Sequence, residues 1–352
     1  MLRFGVETQP MNAMLMRGVT RLDGPGAPLH AAVVPDPTPG PGDLLLRVAA
    51  CGVCHTELDE IEGRMTPPRL PVVLGHQVGG HVIAMGAEVT GWSLGARAGV
   101  GWIFSACGRC ARCRAGLENL CAEFQATGRD ASGGYAELMV VPHGFAYAIP
   151  DVFTDVEAAP LLCAGAIGYR SLRLANLAPG GRLGLTGFGA SAHLVMKMVR
   201  FQHPATEVFV FARSEAERGF ARELGAAWAG GTSDTAPAPL DAIIDTTPVW
   251  TPIVDALRNL APGGRLVINA IRKEDIDKPV LQTLNYPAHL WMEKEIKSVA
   301  NVTRRDVSEF LSLAAAMGLK PETQEFPLAD ANRALLELKR RQIRGAKVLR
   351  IA

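Results

Sequence analysis

Residues 178–201 read APGGRLGLTGFGASAHLVMKMVRF, and this stretch decides the fold in the middle of the chain. A turn is followed by a short apolar strand, a glycine-rich turn and the pattern of an amphipathic helix. Gly187 and Gly189 would let the backbone approach a pyrophosphate at the helix N-terminus, where free N–H groups and the helix dipole attract anions. Ala192 occupies the third small position of the motif. The stretch therefore predicts the opening of a dinucleotide-binding βαβ unit.

The segments that follow alternate between strand and helix patterns. In order they are EVFVFA, SEAERGFARELGA, LDAIIDT, a further helix pattern and APGGRLVINA. Such alternation is typical of an α/β fold, because parallel strands need helical crossovers between them. We therefore predict a parallel sheet for this part of the chain.

The end of the second strand predicts the choice of coenzyme. A site for NAD usually has an acidic residue there, about twenty residues after the glycines, which binds the ribose 2′-hydroxyl. This chain instead has Phe211, Ala212, Arg213 and Ser214. Arg213 could pair with a 2′-phosphate and Ser214 could hydrogen-bond it, so NADP is predicted. The alternative is that Arg213 is a solvated residue beside a helix N-cap at Ser214, which leaves NAD open.

Length and composition indicate two globular domains. A chain of 352 residues is too long for one core, and 48% hydrophobic with 20% charged residues is typical of a packed protein. Thirty-six basic and 35 acidic residues give a net charge of +1, which favours neither a nucleic-acid nor a membrane partner. No apolar run approaches about eighteen residues, and the N-terminus lacks the pattern of a signal peptide. We expect a soluble cytoplasmic protein with a small-molecule substrate.

Four of the seven cysteines fall within one short segment. Cys107, Cys110, Cys113 and Cys121 form C-x-x-C-x-x-C-x7-C, and the two-residue gaps let neighbouring thiolates turn toward one tetrahedral zinc ion. A reducing compartment disfavours disulfides. The cluster therefore predicts a structural zinc that braces a loop and leaves no position open for substrate. An iron–sulfur cluster is the rival interpretation, because its ligand spacings overlap with these.

The remaining cysteines offer a second metal site. Cys51 and Cys54 follow the strand-like DLLLRVAA, His76 lies in a glycine-flanked turn, and Cys163 lies in APLLCAGAIGY. One histidine and two of these cysteines would supply the three protein ligands of a catalytic zinc. The alternative for Cys163 is a small core residue on an apolar segment.

Four segments together carry a family resemblance. They are CGVCHTE (51–57), GHQVGGHV (75–82), the four-cysteine segment and TGFGASA (186–192). In this combination the chain resembles the zinc-dependent alcohol dehydrogenases of the medium-chain dehydrogenase/reductase superfamily, and the similarity spans nearly its whole length. The resemblance implies that Cys54, His76 and Cys163 hold the catalytic zinc, which makes two zinc ions per chain, and that Cys51 is an additional packed thiol.

The resemblance also implies an architecture. A GroES-like, β-rich catalytic domain would comprise residues 1–164 and 300–352, with a structural-zinc lobe at about 105–122. A Rossmann domain with a doubly wound parallel sheet, inserted at residues 165–299, would bind the dinucleotide. Relatives of this kind suggest a homo-oligomer, specifically a tetramer.

The activity implied by the resemblance is reversible hydride transfer between NADP(H) and a primary alcohol or aldehyde, with zinc as the Lewis acid. Thr56 matches a hydroxyl that hydrogen-bonds the reacting oxygen and begins a proton relay, and Asp59 stands where many members end that relay with histidine. His55 and Lys347 match positions that contact coenzyme phosphates. Trp102 matches an aromatic residue lining the substrate pocket, with simple packing as its alternative.

Four positions depart from the pattern of the family that the chain resembles. Asp59 has a lower unperturbed pKa than the usual histidine, Glu57 replaces an aspartate near Cys54, and Gln77 replaces the glutamate after the zinc histidine. Ile167 replaces a threonine against the nicotinamide.

Two other functions stay open at this point. One is an NAD-dependent alcohol or polyol dehydrogenase of the same superfamily, and the more distant one is a non-catalytic dinucleotide-binding zinc protein.

Overall fold

The structure, a computed structural model, describes residues 10–340, 342 and 345–351. It divides into two compact units. The first comprises the described residues up to Cys163 together with those from Thr303 onward, and the second is Ala164–Val302. None of the helices in the described residues is long and apolar enough to cross a bilayer.

Eighteen strands and ten α-helices make up most of the regular structure of the described residues, which also has short 3-10 and π-helical turns. The strands are β1 (Met11–Met16), β2 (Leu29–Val34), β3 (Asp43–Val53), β4 (Val72–Val73), β5 (Val78–Met85), β6 (Arg97–Val100), β7 (Ile103–Ser105), β8 (Gln125–Ala126), β9 (Leu138–Pro142), β10 (Ala146–Ala148), β11 (Arg182–Thr186), β12 (Glu207–Phe211), β13 (Trp228–Gly230), β14 (Leu240–Asp245), β15 (Leu260–Ile268), β16 (Glu295–Ser298), β17 (Thr323–Pro327) and β18 (Ala346–Arg350). The helices are α1 (His55–Ile61), α2 (Ala111–Arg114), α3 (Asp155–Pro160), α4 (Ala166–Ala175), α5 (Ala190–Gln202), α6 (Glu215–Glu223), α7 (Thr251–Asn259), α8 (Tyr286–His289), α9 (Arg304–Ala316) and α10 (Ala331–Lys339).

The first unit is mainly antiparallel. Its largest sheet has the order β10-β6-β5-β3-β18-β17, with β9 also paired to β3, and β1 joins β2 and β4 in a smaller sheet. The long central strand β3 alternates as a half-buried strand should, with Leu44, Leu46, Val48 and Ala50 fully buried. Because β3 is hydrogen-bonded to strands on both sides, its position in the sheet is fixed. The position of Cys54, which directly follows β3, is fixed with it.

The second unit contains a six-stranded parallel sheet of order β13-β12-β11-β14-β15-β16. The strand order reverses between β11 and β14, so right-handed crossovers place the helices on both faces. The registers of the central strands align Thr186 with Phe211 and with Asp245. Their carboxyl ends therefore meet at the edge where dinucleotides bind in such sheets. The predicted α/β class with a parallel sheet is confirmed.

Candidate active site

Three side chains with metal-binding atoms meet in the first unit. Cys54 lies between β3 and α1, His76 lies between β4 and β5, and Cys163 lies in the π-helical turn Leu161–Gly165 after α3. Their ligand atoms lie within 4.8 Å of one another, and Nε2 of His76 is 3.3 Å from Sγ of Cys163. The structure thus brings together the three residues that the sequence assigned to one site.

The turn that carries His76 depends on close packing. Gly75 has φ +96°, a conformation that side chains rarely adopt. A Cβ atom there would also collide with the ring of Tyr135 and with Sγ of Cys51. Cys51 is fully buried at this contact, in agreement with its prediction as a packed thiol. The backbone turn that carries His76 therefore has little conformational freedom, and this fixes the position of the imidazole.

Glu57 connects two of the three ligands. Its Oε2 accepts a hydrogen bond from the backbone N–H of Cys54 at 2.7 Å, and its Oε1 lies 2.7 Å from Nδ1 of His76. Burial disfavours a charged ring, but the carboxylate of Glu57 and the Cys54 sulfur outweigh it and raise the pKa of His76 well above its usual range. A carboxylate on the far nitrogen fixes the ring so that Nε2 faces the cysteines.

The pKa values of the two cysteines of this site shift in opposite directions: hydrogen bonding to Cys54, together with burial, raises the pKa of the Cys163 thiol well above its usual range. Hydrogen bonding from Cys163, aided by His76, holds the pKa of Cys54 well below its usual range in spite of burial. Two sulfurs and one imidazole nitrogen with a fourth direction open are the donor set of a catalytic zinc. The residues present therefore fit zinc.

Two further predicted residues contact the metal ligands, and two others lie on α1. Thr56 is buried with Oγ1 3.7 Å from Sγ of Cys54, and the Trp102 ring meets the His76 ring edge-on with centroids 5.0 Å apart. His55 is exposed at the first position of α1. Asp59 is nearly buried and forms an ion pair with Nε of Arg64 at 2.5 Å. The carboxylate predicted to end the proton relay is thus held by a neighbouring cation.

The four remaining cysteines form a second cluster. Their Sγ atoms lie within 4.8 Å of one another. Cys107 accepts a hydrogen bond from the backbone N–H of Cys110 at 3.4 Å, and Cys110 accepts one from that of Cys113 at 3.4 Å. The latter bond lowers the pKa of Cys110 to about 7. Four sulfurs with backbone N–H donors fit a closed tetrahedral zinc site.

The glycine-rich turn of the second unit has the geometry that its sequence predicts. Gly187 follows β11 with φ +75°, and a Cβ atom there would lie 3.0 Å from Oγ1 of Thr246. Gly189 is the N-cap of α5 and has open space where a Cβ atom would stand. Ala192 is fully buried in the first turn of α5. The free N–H groups of that turn can therefore face an anion.

The end of β12 presents one exposed cation. Ala212 is fully buried, Arg213 and Ser214 are exposed, and Ser214 is the N-cap of α6 with Oγ accepting from the N–H of Glu217 at 3.2 Å. Arg218, which the sequence did not single out, donates to the carbonyls of Ala212 and Arg213 at 2.8 and 3.0 Å. Arg218 therefore fixes the turn that carries Arg213.

Comparison with known proteins decides the family. Residues 40–151 match the family model described as the alcohol dehydrogenase GroES-like domain. The chain is 43% identical to a probable alcohol dehydrogenase of Mycobacterium tuberculosis over 98% of both chains. This chain is a member of the zinc-dependent alcohol dehydrogenase family.

Solved structures of alcohol dehydrogenases share the architecture. A cinnamyl alcohol dehydrogenase from Sorghum bicolor superimposes with a TM-score of 0.84 at 27% identity, covering 97% of this chain and 98% of that one. A structure described as an NAD-dependent alcohol dehydrogenase gives 0.87 at 25% identity, covering 97% and 100%. The predicted GroES-like domain and medium-chain family are confirmed, and the protein is an oxidoreductase of this class.

Lys347 is buried and paired in this alcohol dehydrogenase. Only 2% of the residue is exposed, and its Nζ donates to Oε2 of Glu337 at 2.6 Å and to Oε1 of Gln324 at 2.7 Å. The ammonium also lies 4.9 Å from the centroid of the Phe326 ring. Its Nζ is occupied by this ion pair between β18 and α10, and the contact of Lys347 with pyrophosphate stays a prediction.

Two buried carboxylates of this alcohol dehydrogenase were missed by sequence reasoning. Neither carboxylate oxygen of Glu60 has a hydrogen-bond partner among the described residues, and burial, reinforced by the charge of Glu57, raises its pKa well above the usual range. Glu118 accepts from the backbone N–H of Arg304 at 2.7 Å, which ties the cysteine lobe to the start of α9. No local sequence pattern marks Glu60, because the segments that bury its face of α1 are distant in sequence.

Proposed function

We propose that this alcohol dehydrogenase is an NADP-preferring alcohol dehydrogenase or aldehyde reductase that binds two zinc ions per chain. The observation that carries the proposal is the convergence of Cys54, His76 and Cys163, with Glu57 in contact with His76 and Cys54. A zinc ion held there would act as a Lewis acid toward an alcohol or carbonyl oxygen, while NADP(H) accepts or supplies hydride.

The protein groups have separate roles in this proposal. Cys54 and Cys163 bind the metal as thiolates, and Glu57 orients His76 so that Nε2 completes the set. The hydroxyl of Thr56 would accept the proton of the alcohol while passing its own proton along the relay toward Asp59, and the same relay would run in reverse to protonate the product oxygen. Cys107, Cys110, Cys113 and Cys121 hold the second zinc, which has no open position and braces the lobe.

Proton exchange with water is assigned to Asp59. This carboxylate is 8% exposed, so it lies at the boundary between the buried end of α1 and solvent. Its ion pair with Arg64 holds the carboxylate in place at this end of α1. Because a carboxyl group has a lower unperturbed pKa than an imidazole, we propose that the proton path depends on pH differently from that of relatives with histidine at this position.

The proposed coenzyme site uses the carboxyl edge of the parallel sheet. Gly187, Gly189 and Ala192 receive the pyrophosphate at the start of α5. Arg213 is proposed to pair with the 2′-phosphate of NADP, and its exposure beside a strand end without a carboxylate supports this. Ser214 contributes less, because its hydroxyl already caps α6, and exposed His55 is proposed to contact a coenzyme phosphate.

The proposed substrates are primary alcohols and aldehydes with an apolar body. Trp102 supports this choice, since its ring lies against His76 and offers an aromatic surface next to the metal ligands. The similarity to a cinnamyl alcohol dehydrogenase gives further support. An NAD-dependent alcohol or polyol dehydrogenase is the alternative, favoured by the similarity to a protein described as NAD-dependent.

We also propose that the enzyme forms a homo-oligomer. Strand β16 is an edge of the six-stranded sheet, all four of its residues are exposed, and exposed Trp291 and Met292 lie just before it. An exposed edge strand with an apolar surface is a ready surface for pairing with a second copy. A tetramer is predicted from the family resemblance alone.

A cytoplasmic location is part of the proposal. Six of the seven cysteines lie in the two candidate zinc clusters, and thiolate metal sites of this kind suit a reducing compartment.

Steady-state kinetics of the wild-type enzyme test the proposal. We expect turnover of cinnamaldehyde and aliphatic aldehydes, with kcat/KM higher for NADPH than for NADH. A clear preference for NADH would favour the NAD-dependent alternative, and a preference for polyols over primary alcohols would contradict the substrate class. Binding of a dinucleotide without turnover of any alcohol or aldehyde would favour a non-catalytic binding protein.

A further inference from the structure

A buried ion pair lies at the carboxyl edge of the parallel sheet. Asp245, the last residue of β14, is fully buried, and the side chain of Lys273, in the loop after β15, is 6% exposed. The ammonium pairs with Oδ2 of Asp245 and donates to the carbonyls of Thr247, at 2.5 Å, and Val249, at 3.2 Å. All three N–H bonds are used, so Lys273 has none left for a coenzyme phosphate.

The other carboxylate oxygen connects this pair to the glycine-rich turn. Oδ1 of Asp245 accepts from the hydroxyl of Thr186 at 2.5 Å and from that of Thr247 at 2.7 Å. Thr186 is the last residue of β11 and directly precedes Gly187. Thr246 donates to the carbonyl of Thr186 through both its N–H, at 3.0 Å, and its hydroxyl, at 2.9 Å. The turn is thus bound to the end of β14.

The contact with the turn itself is close. A Cβ atom on Gly187 would lie 3.0 Å from Oγ1 of Thr246 and 3.1 Å from Cγ2 of Thr247. A shift of Thr246 and Thr247 by a few tenths of an ångström would therefore change the space available to the glycine-rich turn at Gly187. Lys273 limits such a shift, because its two carbonyl bonds hold the chain at Thr247 and Val249.

Stability alone does not explain a charged pair at this place. A buried ion pair is often no more stabilising than apolar residues of the same volume, since both charges lose their hydration. The loop of Lys273 is also attached by other bonds: Glu274 donates its N–H to the Pro248 carbonyl at 2.7 Å, and Asp277 accepts from the N–H of Thr251 at 2.7 Å. The Asp245–Lys273 pair differs from these other bonds because Asp245 also accepts a hydrogen bond from the hydroxyl of Thr186.

We propose that Lys273 is a positioning residue for coenzyme binding, which acts through Asp245 to fix Thr186 and the wall of the glycine-rich turn. This inference rests on the proposed function, since it concerns the same coenzyme site. The pyrophosphate is common to NAD and NADP, so loss of the pair weakens both coenzymes by the same factor. Substitution of Arg213, in contrast, acts on NADP alone.

The test compares three variants of the zinc-loaded enzyme by fluorescence titration with NADPH and with NADH. Asp245→Asn combined with Lys273→Met removes both charges without leaving one unpaired. Thr186→Val removes only the hydroxyl that bonds Asp245, and it decides the question if the double variant does not fold. Arg265→Met is the matched control, because it breaks the ion pair with Glu295 in the same sheet, away from its carboxyl edge.

We expect the double variant to raise the Kd of both coenzymes by the same factor of at least about tenfold. Thr186→Val raises both by a smaller common factor, and Arg265→Met leaves both within about twofold of wild type. Zinc content is unchanged in all three. A lower melting temperature with both Kd values unchanged would overturn the inference, as would a loss confined to NADPH. A wild type that binds neither coenzyme would overturn the proposed function and this inference with it.

Discussion

The carboxylate of Glu57 lies 2.7 Å from Nδ1 of His76, and the same carboxylate accepts the backbone N–H of Cys54 at 2.7 Å. One side chain on the first turn of α1 thereby sets the orientation of one metal ligand and the backbone of another. The family's usual aspartate is one methylene shorter. Glu57 can therefore make this contact in place of the aspartate. From the sequence alone, Glu57 was only a departure from the family pattern.

We predict that Glu57→Gln weakens the catalytic metal centre. The amide keeps one oxygen as acceptor but replaces the other with a donor, so it cannot accept from both Cys54 and His76. Loss of such a partner typically costs about 10–100-fold in metal affinity or activity. Competition with a chelator and kcat/KM measure the effect. Glu88→Gln, at an exposed carboxylate of the same unit, is the control, and equal values for Glu57→Gln and wild type would contradict the assignment.

We predict that Lys347→Met lowers stability without changing coenzyme binding. The substitution leaves Glu337, which is 24% exposed, without its buried partner, and we expect a loss of about 2 kcal/mol in the free energy of unfolding. Combining Lys347→Met with Glu337→Gln should recover most of the lost free energy of unfolding. Denaturant unfolding and NADPH titration measure the two quantities. A tenfold or greater rise in the Kd of NADPH would instead support the contact between Lys347 and the coenzyme phosphate that the family resemblance implies.

We predict that Arg213→Asp reverses the coenzyme preference. A carboxylate at this exposed position repels a 2′-phosphate and can accept a hydrogen bond from the ribose 2′-hydroxyl of NAD. A charge-assisted bond is worth about 1.5–3 kcal/mol, so kcat/KM for NADP should fall by about 10–100-fold while that for NAD is maintained. Arg222→Asp, also exposed on α6, is the control. An unchanged ratio would show that Arg213 does not contact the phosphate.

The features that sequence could predict have short-range causes. The cysteine spacing of the lobe, the glycine-rich turn and the alternation of strands and helices are each visible within a few tens of residues. The pairing of Cys163 with Cys54 is different. The apolar segment around Cys163 is more typical of a core position, and only the family resemblance assigns Cys163 to the site.

The features that sequence could not predict depend on tertiary partners. Lys347 and Lys273 are ordinary lysines in the sequence, and burial against Glu337 and Asp245 gives them their roles. Glu60 likewise looks like a solvated helix residue until its face of α1 is found in the core. A charge that is buried by distant segments leaves no local pattern, so these positions need coordinates.

The measurement that tests the central claim most directly is zinc per chain by elemental analysis after exhaustive dialysis, on wild type, Cys163→Ala and Cys51→Ala. The two cysteine clusters predict two zinc ions in wild type, one in Cys163→Ala, and two in Cys51→Ala, because Cys51 is a buried thiol outside both clusters. Turnover should be lost with the catalytic zinc in Cys163→Ala and retained in Cys51→Ala. A single zinc ion in all three proteins would leave the four-cysteine lobe as the metal site and contradict a zinc-dependent mechanism.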